Sequence, residues 1–232
     1  MIIDFHTHIL PGIDDGSKSL DESLRMLRME AEQGIGHVVA TPHFYPRYDN
    51  PEHFLQKRNA AEMQLREAMA KEQGLPELSV GAEVYFFSGI SESEMLSQLT
   101  IGTNRYILLE MPQPPWRESM YREMEDIYSR QGIVPIIAHV DRYISPFRTY
   151  GIPERLAELP CYVQGNASFF LHASTRGMAM RMLRKQQIHL LGSDCHNVAG
   201  RPPRLGDAVA KIQRCLGDAA LDQIAAYQNN LL

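Results

Sequence analysis

Two histidines separated by one residue, His6 and His8, follow the first apolar segment of the chain. Alternate residues of a β-strand point to the same side, so both imidazoles can bind one cation where that strand ends. Alone the pair is a weak signal, because most such pairs are ordinary polar side chains. It becomes informative only beside similar residues at the ends of other apolar segments.

Further histidine, aspartate and glutamate side chains lie at the ends of six of the seven apolar, strand-like segments. The candidates are His6, His8, Asp14, Asp15, His43, Glu83, Glu110, His139, Asp194 and His196. Taken singly, each has an ordinary structural explanation, such as a helix cap or a buried hydrogen-bonded histidine. Taken together they indicate a metal site, because chance rarely delivers so many potential ligands to equivalent strand ends.

The types of these side chains restrict the metal. Imidazoles and carboxylates, with no thiolate required, suit Mn²⁺, Fe²⁺ or Zn²⁺. A structural zinc site needs only four ligands and usually includes sulfur, so the number of candidates predicts two or three ions. Ions about 3.5–4 Å apart generate a nucleophile and neutralise phosphate oxygens, so this arrangement indicates hydrolysis of a phosphate ester.

The elements that must position these residues alternate in type along the chain. Short apolar segments alternate with longer segments of helical period, which is the pattern of βα units and a parallel sheet. Seven strands are predicted, at residues 2–5, 37–41, 78–85, 106–110, 134–139, 161–165 and 188–192. Six helices are predicted, at residues 19–33, 51–73, 117–130, 172–186, 205–216 and 218–228.

Seven such units in 232 residues predict an α/β fold, a single-domain distorted TIM-like (β/α)7 barrel. It would be slightly smaller than the eight-fold barrel of about 250 residues. Active sites of such barrels lie at the C-terminal ends of the strands, where we expect the metal site. No long linker or low-complexity segment divides the chain, so one domain is predicted over residues 1–232.

Composition excludes several classes of protein. Hydrophobic residues make up 44% of the chain and charged residues 22%, as in ordinary globular proteins. The net charge of -5 provides no basic footprint for nucleic acid. Neither a signal-peptide pattern nor an apolar run near about 20 residues is present, so we expect no membrane insertion and a cytoplasmic location. Three widely spaced cysteines also suit a reducing compartment.

Four short motifs, in this order, make the chain resemble the PHP (polymerase and histidinol phosphatase) superfamily. They are His-Thr-His at 6–8, Thr-Pro-His at 41–43, Gly-Ala-Glu at 81–83 and Ser-Asp-Cys-His at 193–196. Longer segments resemble the bacterial metal-dependent protein-tyrosine phosphatases of capsule and exopolysaccharide gene clusters. These segments are HILPGIDDGS at 8–17, ATPH at 40–43, HVDRY at 139–143 and HNVAGRPP at 196–203. The resemblance extends almost from end to end.

The resemblance implies two or three divalent ions, manganese before iron or zinc. It assigns the first ion to His6, His8 and Asp194, with Glu83 as the bridge to a second ion on Glu110 and His139, and a third ion to Asp15, His43 and His196. Asp14 remains an alternative to Asp15. Two arginines, Arg142 and Arg201, would be the catalytic residues that bind phosphate oxygens, a task suited to the bidentate guanidinium group.

The implied activity is that of a protein-tyrosine phosphatase, a phosphoric monoester hydrolase that uses a metal-activated hydroxide. A phenol has a pKa of about 10, so tyrosinate leaves with little need for protonation. The expected substrate is a phosphotyrosyl protein, by resemblance the tyrosine-rich tail of a bacterial tyrosine kinase that regulates capsular or exopolysaccharide synthesis. The sequence leaves the oligomeric state open.

Seven aromatic side chains lie in the predicted loops around this site. They are Phe44, Tyr45, Tyr48, Tyr85, Phe86, Phe87 and Trp116. Some of them could stack on a substrate tyrosine, whereas most are expected to close the top of the barrel, because aromatic residues serve mainly in burial.

Three alternatives accompany this interpretation. The same metals could serve histidinol phosphate or another small phosphomonoester, since a fold does not determine its substrate. A non-enzyme alternative is a metal-carrying regulator that only binds a kinase. Finally, Cys195 and Arg201 have the Cys-x5-Arg spacing of cysteine-dependent tyrosine phosphatases. Pro202 and Pro203 follow that arginine and disfavour the cysteine mechanism, because its loop needs successive free N–H groups.

Overall fold

Strands and helices alternate in the computed structural model, which describes residues 2–102 and 105–231. The strands are β1 (Ile2–Thr7), β2 (Ile35–Ala40), β3 (His43–Phe44), β4 (Glu77–Val80), β5 (Glu83–Tyr85), β6 (Tyr106–Glu110), β7 (Val134–Ile137), β8 (Tyr162–Asn166) and β9 (Leu190–Gly192). The helices are α1 (Leu20–Glu32), α2 (Pro51–Met69), α3 (Leu96–Leu99), α4 (Glu118–Gln131), α5 (Ile152–Leu156), α6 (Ala167–Leu171), α7 (Ala173–Arg184), α8 (Leu205–Leu216) and α9 (Asp218–Asn229). Two 3₁₀ turns lie at Ile90–Glu92 and Val140–Arg142.

The named strands pair in parallel, in the orders β1-β2-β4 and β3-β5-β6-β7-β8-β9. Backbone hydrogen bonds continue the pairing between the two groups, from the N–H of Gly81 to the carbonyl of Ala40 at 2.9 Å and from the N–H of Glu83 to the carbonyl of Pro42 at 3.0 Å. At the other edge, the N–H of His8 donates to the carbonyl of Cys195 at 2.9 Å. The result is an α/β fold around one curled parallel sheet.

One predicted strand is interrupted in the structure. The prediction of one strand over 78–85 is wrong, because residues 81 and 82 separate β4 from β5. A Cβ on Gly81 would lie 2.9 Å from the Cγ1 of Ile101, so only glycine fits this close approach. The same break separates β2 from β3 at Thr41 and Pro42, where proline offers no N–H for pairing. The remaining predicted strands agree to within two residues at each end.

The predicted long helices are all present, and α8 has the predicted bounds. Helix α2 ends at Met69, four residues before the predicted end. There the N–H of Lys71 donates to the carbonyl of Ala68 at 3.1 Å. This hydrogen bond spans three residues instead of four and ends the α-helical pattern. The short elements α3, α5 and α6 lack enough turns to show a period and were not predicted. In the described ranges, no helix has the length and apolar character needed to cross a membrane.

The apolar core has two parts. The larger part lies between the sheet and the surrounding helices. The smaller part comes mainly from five strands, with Tyr227 of α9 packed against it, and fills the concave side of the curled sheet. Its strand residues are Ile3, Phe5, Val39, Leu108, Ile136 and Leu190. This cluster is the floor beneath the strand ends.

A β-bulge in β1 changes which side chains face that floor. Asp4 pairs with Val38 and Thr7 with Ala40, so β1 contains one extra residue between these pairs. The N–H of His6 donates instead to the Asp4 carboxylate, at 3.1 Å. Phe5 belongs to the concave cluster, and His6 lies on the same side because its Cβ would be 2.6 Å from a Cβ placed on Gly192. Two neighbouring residues thus both face inward.

Candidate active site

The C-terminal ends of the strands gather the predicted ligands into three overlapping groups, in each of which the candidate ligand atoms lie within 4.8 Å of one another. The groups are His6 with His8 and Asp194; His8 with Asp15, His43 and His196; and His43 with Glu83 and Glu110. The remaining predicted ligand, His139, joins them through its Nε2, 2.7 Å from Glu83 Oε1 and 3.8 Å from Glu110 Oε1. All nine predicted ligands therefore lie in one cluster.

Glu83 is the centre of this cluster. Its Oε2 lies 2.9 Å from His43 Nδ1, 3.1 Å from His6 Nε2 and 3.4 Å from His8 Nε2. Burial alone would raise the pKa of Glu83, but the surrounding imidazoles, those of His6 and His139 first, hold its pKa well below the usual range. The carboxylate is therefore anionic and faces imidazoles on several sides, as a carboxylate bridging two cations would.

Several buried polar atoms of the cluster make no hydrogen bond of acceptable geometry within the described residues, although imidazole or carboxylate atoms lie nearby. They are Glu83 Oε2, Glu110 Oε2, His139 Nδ1, Asp194 Oδ1 and His196 Nε2. Buried polar side-chain atoms are almost always hydrogen-bonded, so this concentration needs an explanation. The orphaned atoms are carboxylate oxygens and imidazole nitrogens, which are ligand atoms that Mn²⁺, Fe²⁺ and Zn²⁺ bind. The residues present fit divalent metal ions.

The surroundings of His196 determine which of its two ring nitrogens is protonated. Its Nδ1 lies 3.0 Å from the backbone carbonyl of Asp194, which can only accept, so Nδ1 carries the proton. Burial, helped by the charge of His8, lowers the pKa of His196 to about 4. The ring is therefore neutral, and its Nε2 presents a lone pair 3.4 Å from Asp15 Oδ1.

Asp14 and Asp15 have different surroundings. Asp14 is almost fully buried, and its Oδ2 accepts hydrogen bonds from His8 Nδ1 at 2.8 Å and from the N–H of His43 at 3.0 Å. Asp15 is two-thirds exposed, and its Oδ1 lies 3.4 Å from the Nε2 atoms of both His43 and His196. Asp14 thus orients an imidazole from behind, as carboxylates next to metal-binding histidines do, whereas Asp15 faces the cluster.

Both predicted phosphate-binding arginines contact Asp194. Arg142 donates to Asp194 Oδ2 at 2.6 Å, and the guanidinium of Arg201 lies 2.8 Å from the same oxygen. The other oxygen, Oδ1, lies 3.6 Å from the Nε2 atoms of His6 and His8. The two guanidinium side chains are 36% and 42% exposed and border a cavity of about 380 Å³. Positive charge is therefore accessible directly beside the ligand cluster.

The backbone is unusual at two of the predicted ligands. His139 has φ of 32° and Asp194 has φ of 55°, a region that L-residues other than glycine rarely adopt. The N–H of Asp194 donates to the carbonyl of His6 at 2.8 Å, which holds this conformation. Non-glycine residues in this region cluster at functional sites, because the surrounding structure must compensate for the strain.

A sequence profile of the family described as "Capsular polysaccharide synthesis, CpsB/CapC" matches residues 2–231. The chain belongs to the CpsB/CapC family. "Tyrosine-protein phosphatase CpsB" of Streptococcus agalactiae is 29% identical over 96% of this chain and 94% of its own. "Tyrosine-protein phosphatase YwqE" of Bacillus subtilis is 28% identical over 93% of this chain and 85% of its own. The family predicted from the motifs is confirmed.

A solved structure supports the fold of this CpsB/CapC chain. It comes from crystal structures of YwqE from Bacillus subtilis and CpsB from Streptococcus pneumoniae, described as unique metal-dependent tyrosine phosphatases. The match has a TM-score of 0.83 and 23% identity, and it covers 100% of this chain and 96% of the other. The arrangement of strands and helices is therefore that of this family.

Two residues of the site were not predicted from the sequence. Gln164 and Asn166 project from β8, the only predicted strand without a candidate ligand, and both are buried. Neutral amides are not among the usual metal-ligand types, so a search by residue type passes over them. The available signal was their position, since buried polar residues at the C-terminal end of an apolar strand fall at the active-site edge.

Cys195 does not face the cluster. It is 1% exposed, and its Sγ lies 3.9 Å from Glu30 Oε1, behind the sheet. Burial and the neighbouring carboxyl groups raise the pKa of this thiol well above its usual value. A cysteine nucleophile requires an accessible thiolate, so the Cys-x5-Arg spacing has no catalytic geometry in this CpsB/CapC chain.

Five of the seven rim aromatics fall into two sets. Phe44, Phe86 and Trp116 are buried in the core and close the top of the sheet. The ring of Tyr45 stacks on His43, with centroids 5.0 Å apart, and lies 5.8 Å from the ring of Tyr85. These two tyrosines are partly exposed and adjoin the ligand cluster.

Proposed function

We propose that this chain is a metal-dependent protein-tyrosine phosphatase acting on phosphotyrosyl proteins. The observation that carries the proposal is the set of orphaned, buried ligand atoms bordered by two accessible guanidinium groups, at Arg142 and Arg201. An unsaturated ligand set suits cations, and an adjacent guanidinium pair suits a phosphate. The names of the curated relatives, tyrosine-protein phosphatases, support the same activity.

The proposed cofactors are two or three divalent ions, manganese first and iron or zinc as alternatives. Their ligands would be His6, His8 and Asp194 for one ion; Glu83 as a bridge, with Glu110 and His139, for the second; and Asp15, His43 and His196 for the third. The contacts of Asp14 with His8 favour Asp15 as the ligand. When bound, such ions supply an activated water and neutralise charge on the phosphate.

The arginines would bind the phosphate and orient it. In the free protein Arg142 and Arg201 share one oxygen of Asp194, so neither guanidinium has all its donors paired within the described residues. An incoming phosphate offers several anionic oxygens and can accept from both at once. The phenolic leaving group has a pKa of about 10 and departs as tyrosinate with little help from a protein acid.

The finer features of the prediction belong to the same proposal. The hydrogen bonds that join the end of β1 to the segment directly after β9 favour a closed, distorted (β/α)7 barrel. We propose a single domain over residues 1–232, of which residues 1, 103, 104 and 232 lie outside the described part. A cytoplasmic location and a bacterial tyrosine kinase as the phosphotyrosyl partner stay predictions, the latter in keeping with the family's role in capsular polysaccharide synthesis.

Chelation followed by addition of single metals tests the activity. Three substrates separate the alternatives: a phosphotyrosyl peptide, the matched phosphoseryl peptide and histidinol phosphate. We expect manganese to restore hydrolysis of the phosphotyrosyl peptide, with kcat/KM at least about tenfold above the other two because of the better leaving group. A preference for histidinol phosphate would favour the small-substrate alternative. Metal binding without turnover of any aryl phosphate would favour the regulatory one.

A further inference from the structure

Two buried amide side chains of β8 connect ligands that come from different strands. Gln164 is fully buried and Asn166 is 5% exposed. The two are linked to each other, since Gln164 Nε2 donates to Asn166 Oδ1 at 3.0 Å. Their remaining polar atoms point to His6 and Asp194, the first of which lies on β1 and the second just after β9.

The amide oxygen of Gln164 determines the protonation of one imidazole. Gln164 Oε1 accepts the backbone N–H of His139 at 2.6 Å, which fixes the orientation of the amide, because the reversed amide would place two donors together. The same oxygen lies 3.3 Å from His6 Nδ1. An oxygen can only accept, so Nδ1 of His6 carries a proton, and Nε2, which faces the ligand cluster, is the nitrogen that a metal ion would bind.

Asn166 orients the carboxylate of Asp194 in a similar way. Its Oδ1 accepts from Gln164, so its Nδ2 is the donor, 3.1 Å from Asp194 Oδ2. That hydrogen bond, together with the two arginines, engages Oδ2 and leaves Oδ1 unpaired toward His6 and His8. The carboxylate is thereby presented through a single oxygen.

The neighbouring strand leaves room for this link. A Cβ on Gly192 of β9 would lie 2.7 Å from Gln164 Nε2 and 2.6 Å from the Cβ of His6. Any larger residue at this position would displace the amide or the imidazole. Glycine at position 192 therefore leaves the space that the side chains of Gln164 and His6 occupy.

We propose that Gln164 and Asn166 are positioning residues that set the tautomer of His6 and the orientation of Asp194 for one shared metal ion. This inference rests on the proposed assignment of that ion to His6, His8 and Asp194. Residues that orient metal ligands in this way typically contribute about 10–100-fold to metal affinity. Neither amide is among the proposed metal ligands.

Substitutions at Gln164 separate positioning from packing. Gln164→Met removes the acceptor at similar volume, whereas Gln164→Glu keeps an acceptor for His6 Nδ1 and the His139 N–H. We expect Gln164→Met to weaken the binding of one Mn²⁺ per chain by about 10–100-fold, and Gln164→Glu, which keeps the acceptor for His6 but loses the N–H donor to Asn166, to weaken it by no more than about tenfold. Gln228→Met is the matched control, because Gln228 is equally buried and also bonds to β1, at Ile3, but lies far from the ligands.

The readouts are Mn²⁺ titration, thermal unfolding and the ¹⁵N shifts of the His6 ring in metal-free protein. The wild type and Gln164→Glu should show a protonated Nδ1, and Gln164→Met a mixture of tautomers. If Gln164→Met does not fold, Asn166→Ala carries the test, with an expected loss of about 3–10-fold in affinity because two arginines still engage Asp194 Oδ2.

The inference is overturned if Gln164→Met binds Mn²⁺ with wild-type affinity, keeps the wild-type tautomer of His6 and loses only as much stability as Gln228→Met. Those results would show that Gln164 has a purely structural role. This outcome is separate from a failure of the proposed function. A wild type that binds Mn²⁺ without hydrolysing aryl phosphates would overturn the phosphatase proposal, while the loss of Mn²⁺ affinity in Gln164→Met would still support the positioning role.

Discussion

Replacement of Arg201 by alanine tests the proposed division between metal-binding and phosphate-binding residues. The side chain is 42% exposed and contacts the protein through Asp194 Oδ2, at 2.8 Å. Its backbone carbonyl accepts from the N–H of His196 at 2.9 Å, and this bond persists in the variant. The substitution therefore removes the guanidinium without removing the turn that holds His196.

The size of the effect follows from the contacts. A hydrogen bond to a charged group contributes about 1.5–3 kcal/mol, and tenfold in rate corresponds to about 1.4 kcal/mol, so kcat/KM should fall about 10–150-fold. Metal content should not change. Asp194 Oδ2 keeps Arg142 at 2.6 Å and Asn166 at 3.1 Å, and Oδ1, the oxygen facing the imidazoles, is not bonded to Arg201.

The assay measures kcat/KM on a phosphotyrosyl peptide with Mn²⁺ and, in parallel, metal content by elemental analysis. Arg204→Ala is the matched control, since it removes the same charge three residues away, where the guanidinium pairs with Asp207 at 2.9 Å. The control should stay within about threefold of wild type, because exposed ion pairs contribute little. Equal effects in the two variants, or loss of metal in Arg201→Ala, would refute the phosphate-binding role.

Four further outcomes are expected. His139→Ala should reduce metal content and abolish turnover, because its Nε2 contacts Glu83 at 2.7 Å; full metal content with full activity would contradict its assignment. Asp15→Asn should lower metal content without destabilising the fold, since this side chain is two-thirds exposed, and unchanged metal stoichiometry would count against it. Cys195→Ser should retain hydrolysis and bound metal, whereas loss of hydrolysis with metal retained would revive the thiolate mechanism. Burial lowers the pKa of His189 from 6.5 to about 4, and its Nδ1 accepts from the N–H of Val163 at 3.1 Å, so the folded state disfavours the protonated ring. The contribution of His189 to stability should therefore be fully present above pH 6.5 and fall by about 2–3 kcal/mol as pH drops toward 4, so the acid-induced loss of stability in urea unfolding should be smaller by that amount in His189→Gln.

The ligand cluster could be predicted because its chemistry is visible in residue types. Imidazoles and carboxylates, such as those of His6, His43 and Glu83, are common metal ligands. Because the C-terminal ends of parallel strands lie at one edge of the sheet, such residues at several strand ends indicate a shared metal site. The amides of Gln164 and Asn166 could not be found in the same way. Their role depends on which atoms they face across β1 and β9, and that information exists only once the sheet is assembled.

The register of β1 could not be predicted from the sequence either. Alternation along residues 2–8 predicts that His6 and His8 share a side, but it would place Phe5 on the opposite one. The extra residue in β1 is specified by pairing with β2 and by the Asp4 carboxylate, which takes the N–H left over by the bulge. The break at Gly81 likewise follows from the approach of Ile101, a residue twenty positions away.

The bulge in β1 also determines how abruptly the surroundings change beneath the ligands. In a regular strand, the side chain preceding an inward histidine faces outward, so the nearest inward neighbour lies two residues away. Here the fully buried ring of Phe5 directly precedes His6 on the same side. Along β1, the hydrocarbon environment of Phe5 is therefore followed directly by the ionic environment of His6. The imidazole of His6 is fully buried, and the low-dielectric base strengthens the charge interactions above it.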